Sequence, residues 1–129
     1  MTLQITALYA GLLALLLLAL SIQVSRRRIK GKIGVGHGED RALHLAVRTQ
    51  GNFTEYVPLA LLLIGLMEFN GLPGWSIHAM GGALTVGRVL HAIGLSRDPG
   101  TSIPRLVGTT LTWLVLLCGG LVLVVTALR

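Results

Sequence analysis

Charge is scarce in this sequence, and acidic charge is scarcest. Of 129 residues, 12% are Asp, Glu, Lys or Arg, with five acids against eleven basic residues. Soluble domains carry about a quarter charged residues. So low a share, combined with long apolar runs, excludes an ordinary water-exposed globular domain and makes a bilayer the fitting solvent. Cysteine is almost missing. Cys118 stands alone in an apolar run, which excludes an intrachain disulfide and reads as a small buried hydrophobe. No basic residue precedes the apolar run that begins at Ile5, unlike a signal peptide. That run is therefore expected to be kept as an anchor with its N-terminus outside. The glycines at 34, 36 and 38 are not followed by Gly-Lys-Ser/Thr, which excludes a phosphate-binding loop of that type. The four histidines are spread along the chain without a close ligand pair, so no metal centre is expected. No serine or cysteine neighbours a histidine in a way that suggests a nucleophile.

What is present is a single domain, 1–129, of four apolar stretches, at about 5–24, 41–69, 75–95 and 104–128. About 20 residues of helix cross a hydrocarbon core of about 30 Å. The expected fold is all-α: a polytopic membrane protein with a four-transmembrane-helix bundle. The second stretch is long for this task, about 43 Å as a helix, and its first half is polar. Asn70-Gly71-Leu72-Pro73-Gly74 is a tight turn by composition. Pro104 suits the first turn of a helix, where its missing N–H is not needed. Arg26, Arg27, Arg28, Lys30 and Lys32 lie in a loop read as 25–40, and Arg97 in a second loop read as 96–103. The turn between spans two and three has no basic residue. By the positive-inside rule the basic loops face the cytoplasm and both termini lie outside, in the cell inner membrane of a bacterium. The same rule accounts for the basic cluster without nucleic acid.

The informative feature is polarity where lipid should be. Arg48, Asn52, Glu55 and Tyr56 fall at i, i+4, i+7 and i+8, one face of a helix. His44 extends that face by a turn; Arg88 and His91 share a face of span three; Arg105 opens span four. Ionisable groups at such depth cost several kcal/mol unless paired or solvated in a cavity. One bland arrangement is mutual satisfaction, with Glu55 pairing Arg48 or Arg88. Three arginines against one acid leave positive charge over, and surplus positive charge fits an anionic ligand. His44 and His78 read as interfacial polar residues, and Glu68 as a solvated one.

Arg48-Thr-Gln50-Gly-Asn52-Phe-Thr-Glu55-Tyr56-Val-Pro58 has the form R-x-Q-x-N-x-x-E-Y-x-P. This resembles the second-helix signature of the MAPEG superfamily, the membrane-associated proteins of eicosanoid and glutathione metabolism. The basic loop after span one, Gly87-Arg88 with Gly94, and an arginine opening span four match as well. Met67-Glu68-Phe-Asn-Gly71 looks like the bacterial branch. The resemblance implies a homotrimer with glutathione, as cosubstrate, bound between subunits. It implies Arg28, Arg48, Gln50, Asn52, Glu55 and Tyr56 as contacts, with Glu55 on the ligand's amino group and arginines on its carboxylates. Arg105 resembles the arginine that stabilises the glutathione thiolate. Where family synthases carry glutathione-contacting tyrosines on span three, this chain has His91 and Leu95. Arg88 and His91 are included among the expected ligand contacts. The implied activity is that of a glutathione-dependent transferase or peroxidase acting on a hydrophobic small molecule from the membrane lipid. The alternative is a non-catalytic glutathione- or lipid-binding member. A proton-coupled multidrug exporter, also four-spanning, would place its buried Glu in span one, which has none here.

Overall fold

The structure, a computed structural model, describes residues 2–97 and 100–129. Asp98 and Pro99 of the second expected loop, and the side chain of Arg97, lie outside the described residues. The described residues form four helices: α1 (Gln4–Gly31), α2 (Arg41–Phe69), α3 (Gly74–Arg97) and α4 (Ile103–Ala127). They make an all-α membrane bundle in which α2 packs against the other three, while α1 and α4 do not meet.

The largest departure from the expected boundaries is in α1, which continues seven residues past Val24 and takes in most of the basic cluster. Arginine and lysine are good helix formers. Arg28 and Lys30 stand in the last turn, where cations complement the exposed carbonyls. Lys32 ends the helix in the left-handed conformation (φ 53°), its N–H donating to the Arg28 and Ile29 carbonyls. The connector therefore shrinks to 32–40. Asp40 then caps α2 by accepting a hydrogen bond from the Leu43 N–H at 2.9 Å. The turn after α2 forms where expected, with Gly71 at φ 75°.

By length and composition α1, α2 and α4 can each cross a membrane. α3 has 24 residues, long enough to span, and buries Arg88 and His91 in the protein. The core holds Leu13, Leu20, Phe53, Val57, Ile64, Ile77, Leu84 and Val115. The outer surface is also apolar: Leu8, Leu12, Leu15, Leu62, Leu117 and Leu121 are exposed, as lipid-facing positions should be. Cys118 belongs to that outer face and is exposed, not the buried hydrophobe expected from its neighbours. An apolar run in a span says nothing about which of its sides faces protein.

α3 and α4 approach most closely at glycines. A Cβ on Gly108 would collide with the Gly87 carbonyl oxygen and lie 2.7 Å from the His91 nitrogen. A Cβ on Gly94 would lie 2.7 Å from the Arg105 nitrogen. These two contacts bring the His91 turn of α3 against the first turns of α4.

At the opposite end, Glu68 departs from its expected role as a solvated residue. Its carboxylate accepts hydrogen bonds from the Ile5 N–H (3.0 Å), the Thr6 N–H (2.7 Å) and the Thr6 hydroxyl (2.6 Å). The first N–H groups of a helix have no partner within it, and α2 supplies one for α1. His78 is likewise engaged: its Nδ1 lies 3.1 Å from the Tyr9 hydroxyl.

Candidate functional site

α2, α3 and α4 enclose a cavity of about 190 Å³ at the end of the bundle that carries the basic loop. Its walls are His44, Leu45, Arg48, Asn52, His91, Leu95 and Arg105. The helical face proposed from spacing, 44–48–52, is thus one wall. The glycine contacts explain the opposite wall, since only a close α3–α4 pair can put His91 and Arg105 into one small space.

Arg88 stands behind this wall, the largest fully buried side chain at 2% exposure. Its Nη2 donates to Asn52 Oδ1 at 2.7 Å, and its guanidinium lies 5.9 Å from the centre of the Tyr56 ring. Its Nε is buried without a hydrogen-bond partner. Neither Asn52 nor the Tyr56 ring carries a compensating negative charge, so α3 holds a cation in the interior with dipoles and a π face around it.

Glu55 pairs with Arg48 rather than Arg88. Arg48 Nη1 and Glu55 Oε1 are 3.4 Å apart, and both side chains are about half exposed, at 50% and 52%. An exposed pair at that distance contributes little stability and leaves both groups available to a ligand. Arg105 Nη1 donates to the Gly100 carbonyl at 3.2 Å.

Two expected contacts lie elsewhere. Gln50 Nε2 donates to the Ser21 hydroxyl of α1 at 2.8 Å, on the opposite side of α2 from Arg48. Arg28 reaches into the connector, where its Nη1 donates to the Gly36 carbonyl at 2.7 Å. Within one chain, then, the structure brings together Arg48, Asn52, His91 and Arg105, with Arg88, Glu55 and Tyr56 adjoining, and sets Arg28 and Gln50 apart. Among the described residues no group of three His, Cys, Asp or Glu is placed to hold a metal ion.

A feature the sequence did not reveal runs along the outside of α4. Ser102, Arg105, Leu106, Thr109, Thr110 and Trp113 line an open, mainly apolar groove of about 450 Å³. The positions 102, 106 and 110 and 105, 109 and 113 repeat every four residues, a signal masked by the uniform hydrophobicity of the span. Arg105 borders both this groove and the polar cavity.

Comparison with known proteins gives this arrangement a context. The model of the MAPEG family matches residues 6–125, nearly the whole chain. Inner membrane protein YecN of Escherichia coli K12 is 41% identical over 91 residues, covering 70% of each chain. The protein of the same name from E. coli O6:H1 matches to the same extent.

Proposed function

The chain belongs to the MAPEG family, and from that membership we propose that it is a glutathione-dependent transferase or peroxidase acting on hydrophobic electrophiles that arrive through the bilayer. The observation that carries the reading is the position of Arg105 on the boundary between a polar cavity and an apolar groove. A thiol held in the cavity and an electrophile lying in the groove would meet at its guanidinium. Free thiols have a pKa of about 8.5, and an adjacent fixed cation favours the thiolate. The cavity's charge fits the rest of glutathione. Arg48 and Arg88 would attract its two carboxylates, and Glu55 its ammonium group.

The displaced residues fit a site shared between copies. In a homotrimer, Arg28 and Gln50 on the α1 side of α2 would be offered to the cavity of the neighbouring subunit. The basic end of the bundle would face the cytoplasm and both termini the other side, by the positive-inside rule. The name of the E. coli relative, an inner membrane protein, supports the same membrane for a bacterial chain.

The test uses purified protein in mild detergent. Glutathione should raise the melting temperature and, once bound, show thiolate ultraviolet absorbance near neutral pH. Arg105→Ala should lower that absorbance and the turnover of an aryl halide or lipid hydroperoxide at least tenfold, with a smaller effect on affinity. A second reading, a non-catalytic binding member, draws on Leu95, which occupies the cavity wall with no group to donate to a ligand. Binding without thiolate or turnover would establish it.

A further inference from the structure

The outer side of α1 joins an apolar surface to a basic one. Leu8, Leu15, Ile22 and Ile29 are all exposed. Residues seven apart fall only about 20° from one another around a helix, so these four form one row down the side turned away from the bundle. About 20 residues of helix cross a hydrocarbon core, and α1 begins at Gln4, so its turns from Ser25 onward emerge among the headgroups. There the row runs into charge. Arg26 and Lys30 are exposed beside it, one turn apart. On the other side of Ile29, Ser25 and Lys32 line an open hollow of about 560 Å³ between the end of α1 and the connector. Arg28 forms its inner wall, and the hydrogen bond from its Nη1 to the Gly36 carbonyl draws the connector back over it. Among the described residues no carboxylate pairs with Arg26, Lys30 or Lys32. Amid these cations Ile29 is 79% exposed and Val35 94%.

We propose that this end of α1 is a binding site for an anionic phospholipid, its headgroup seated over Ile29 and its acyl chains lying along the row towards Leu8. Clusters of basic residues next to a span attract anionic lipids. The lipid phosphate would accept charge-assisted hydrogen bonds from Arg26 and Lys30 on one side and Lys32 on the other. The glycerol and first methylenes would cover Ile29 and Val35, which a soluble anion would leave in water. The positive-inside rule accounts for the sign of the charge. It requires neither a hollow beside the charges nor apolar side chains among them, and a bound lipid uses both. The site lies on α1 alone and does not depend on what the polar cavity of α2, α3 and α4 holds.

Lys30 and Lys32 are the only lysines in the chain, so their charge can be removed after the protein has folded and inserted. Full-length protein in mild detergent is given equal amounts of dioleoylphosphatidylglycerol and dioleoylphosphatidylcholine, and the lipids retained are counted by native mass spectrometry. Wild type should keep about one phosphatidylglycerol per chain, preferred over phosphatidylcholine by about fivefold or more. Acetylating both lysines of the folded protein should cut that preference by about fivefold or more. Lys30→Gln combined with Lys32→Gln should cut it equally, with the three arginines left to hold the orientation of the span. Glycerophosphoglycerol in large excess, the same headgroup without acyl chains, should not displace the lipid. Equal retention of the two lipids by wild type overturns the proposal, and so does a preference that survives acetylation. Displacement by glycerophosphoglycerol overturns the choice of a lipid and makes the site one for soluble phosphate esters.

Discussion

Arg88 and Asn52 illustrate what a buried cation requires of its surroundings. Arg88 is 2% exposed, and its guanidinium donates a 2.7 Å hydrogen bond to Asn52 Oδ1. Removing a hydrogen bond to a charged group typically costs about 1.5–3 kcal/mol. Asn52→Leu should therefore lower the melting temperature measurably even without ligand. The Arg48–Glu55 pair should behave differently, being half exposed. Glu55→Gln and Arg48→Ala should leave the unliganded melting temperature nearly unchanged and shrink the increase that glutathione produces. Equal increases in wild type and both variants would place the ligand elsewhere. The sequence made this cluster legible because Arg48, Asn52 and Glu55 recur at helical spacing, and any helix through them shares one face. Gln50 sits two residues from both Arg48 and Asn52, a spacing that turns it to the far side of α2. It entered the candidate site through family resemblance alone, and its structural neighbour is Ser21.

Helix ends were harder to read than helix faces. Nothing local marks Glu68 as the cap of α1, because its hydrogen-bond partners lie 62 and 63 residues away. Only the packing of α1 on α2 creates the pairing. Glu68→Ala should strip the first turn of α1 of its acceptor and destabilise the protein by about 1–3 kcal/mol. Thr6→Val removes one of three hydrogen bonds and should cost less. The order of their melting temperatures checks the assignment. The α3–α4 pair makes a second demand at this scale. Gly108→Ala would drive a methyl group into the Gly87 carbonyl and the His91 backbone. Overpacking of that kind typically costs about 1–3 kcal/mol, and here it would also spread His91 from Arg105. Activity should fall further than stability alone accounts for. Gly87 and Gly94 stand out in the sequence as family marks and Gly108 does not; the backbone contact that requires them is a property of two helices together.

The whole molecule has a face that lipid would not cover well. Arg41, His44, Arg48 and Glu55 of α2 are exposed, and a bilayer core penalises ionisable groups left facing it. A homotrimer would turn this face inward, and mass measurement in mild detergent should give three chains per particle. Only monomers would contradict it. Four helices and a membrane environment could be foreseen from run lengths and missing charge, whereas the outer groove of α4 and the exposed Cys118 could not. Both depend on which side of an evenly apolar helix faces protein.

The length of α1 has a mechanical consequence. Its 28 residues make a rod of about 42 Å, longer than a hydrocarbon core of about 30 Å. One tip is clamped to α2 through Glu68, while the other carries charges that must stay among the headgroups. Such a rod would respond to the thickness of its membrane. A thinner bilayer would make it lean, a thicker one would let it straighten, each at a modest energetic cost. Ser21 holds Gln50, and Val24 packs with Leu43 and Ala46 towards the other end, so α1 and α2 would lean together. If copies assemble as proposed, the tilt of each bundle against its neighbours would then follow the lipid composition around the protein.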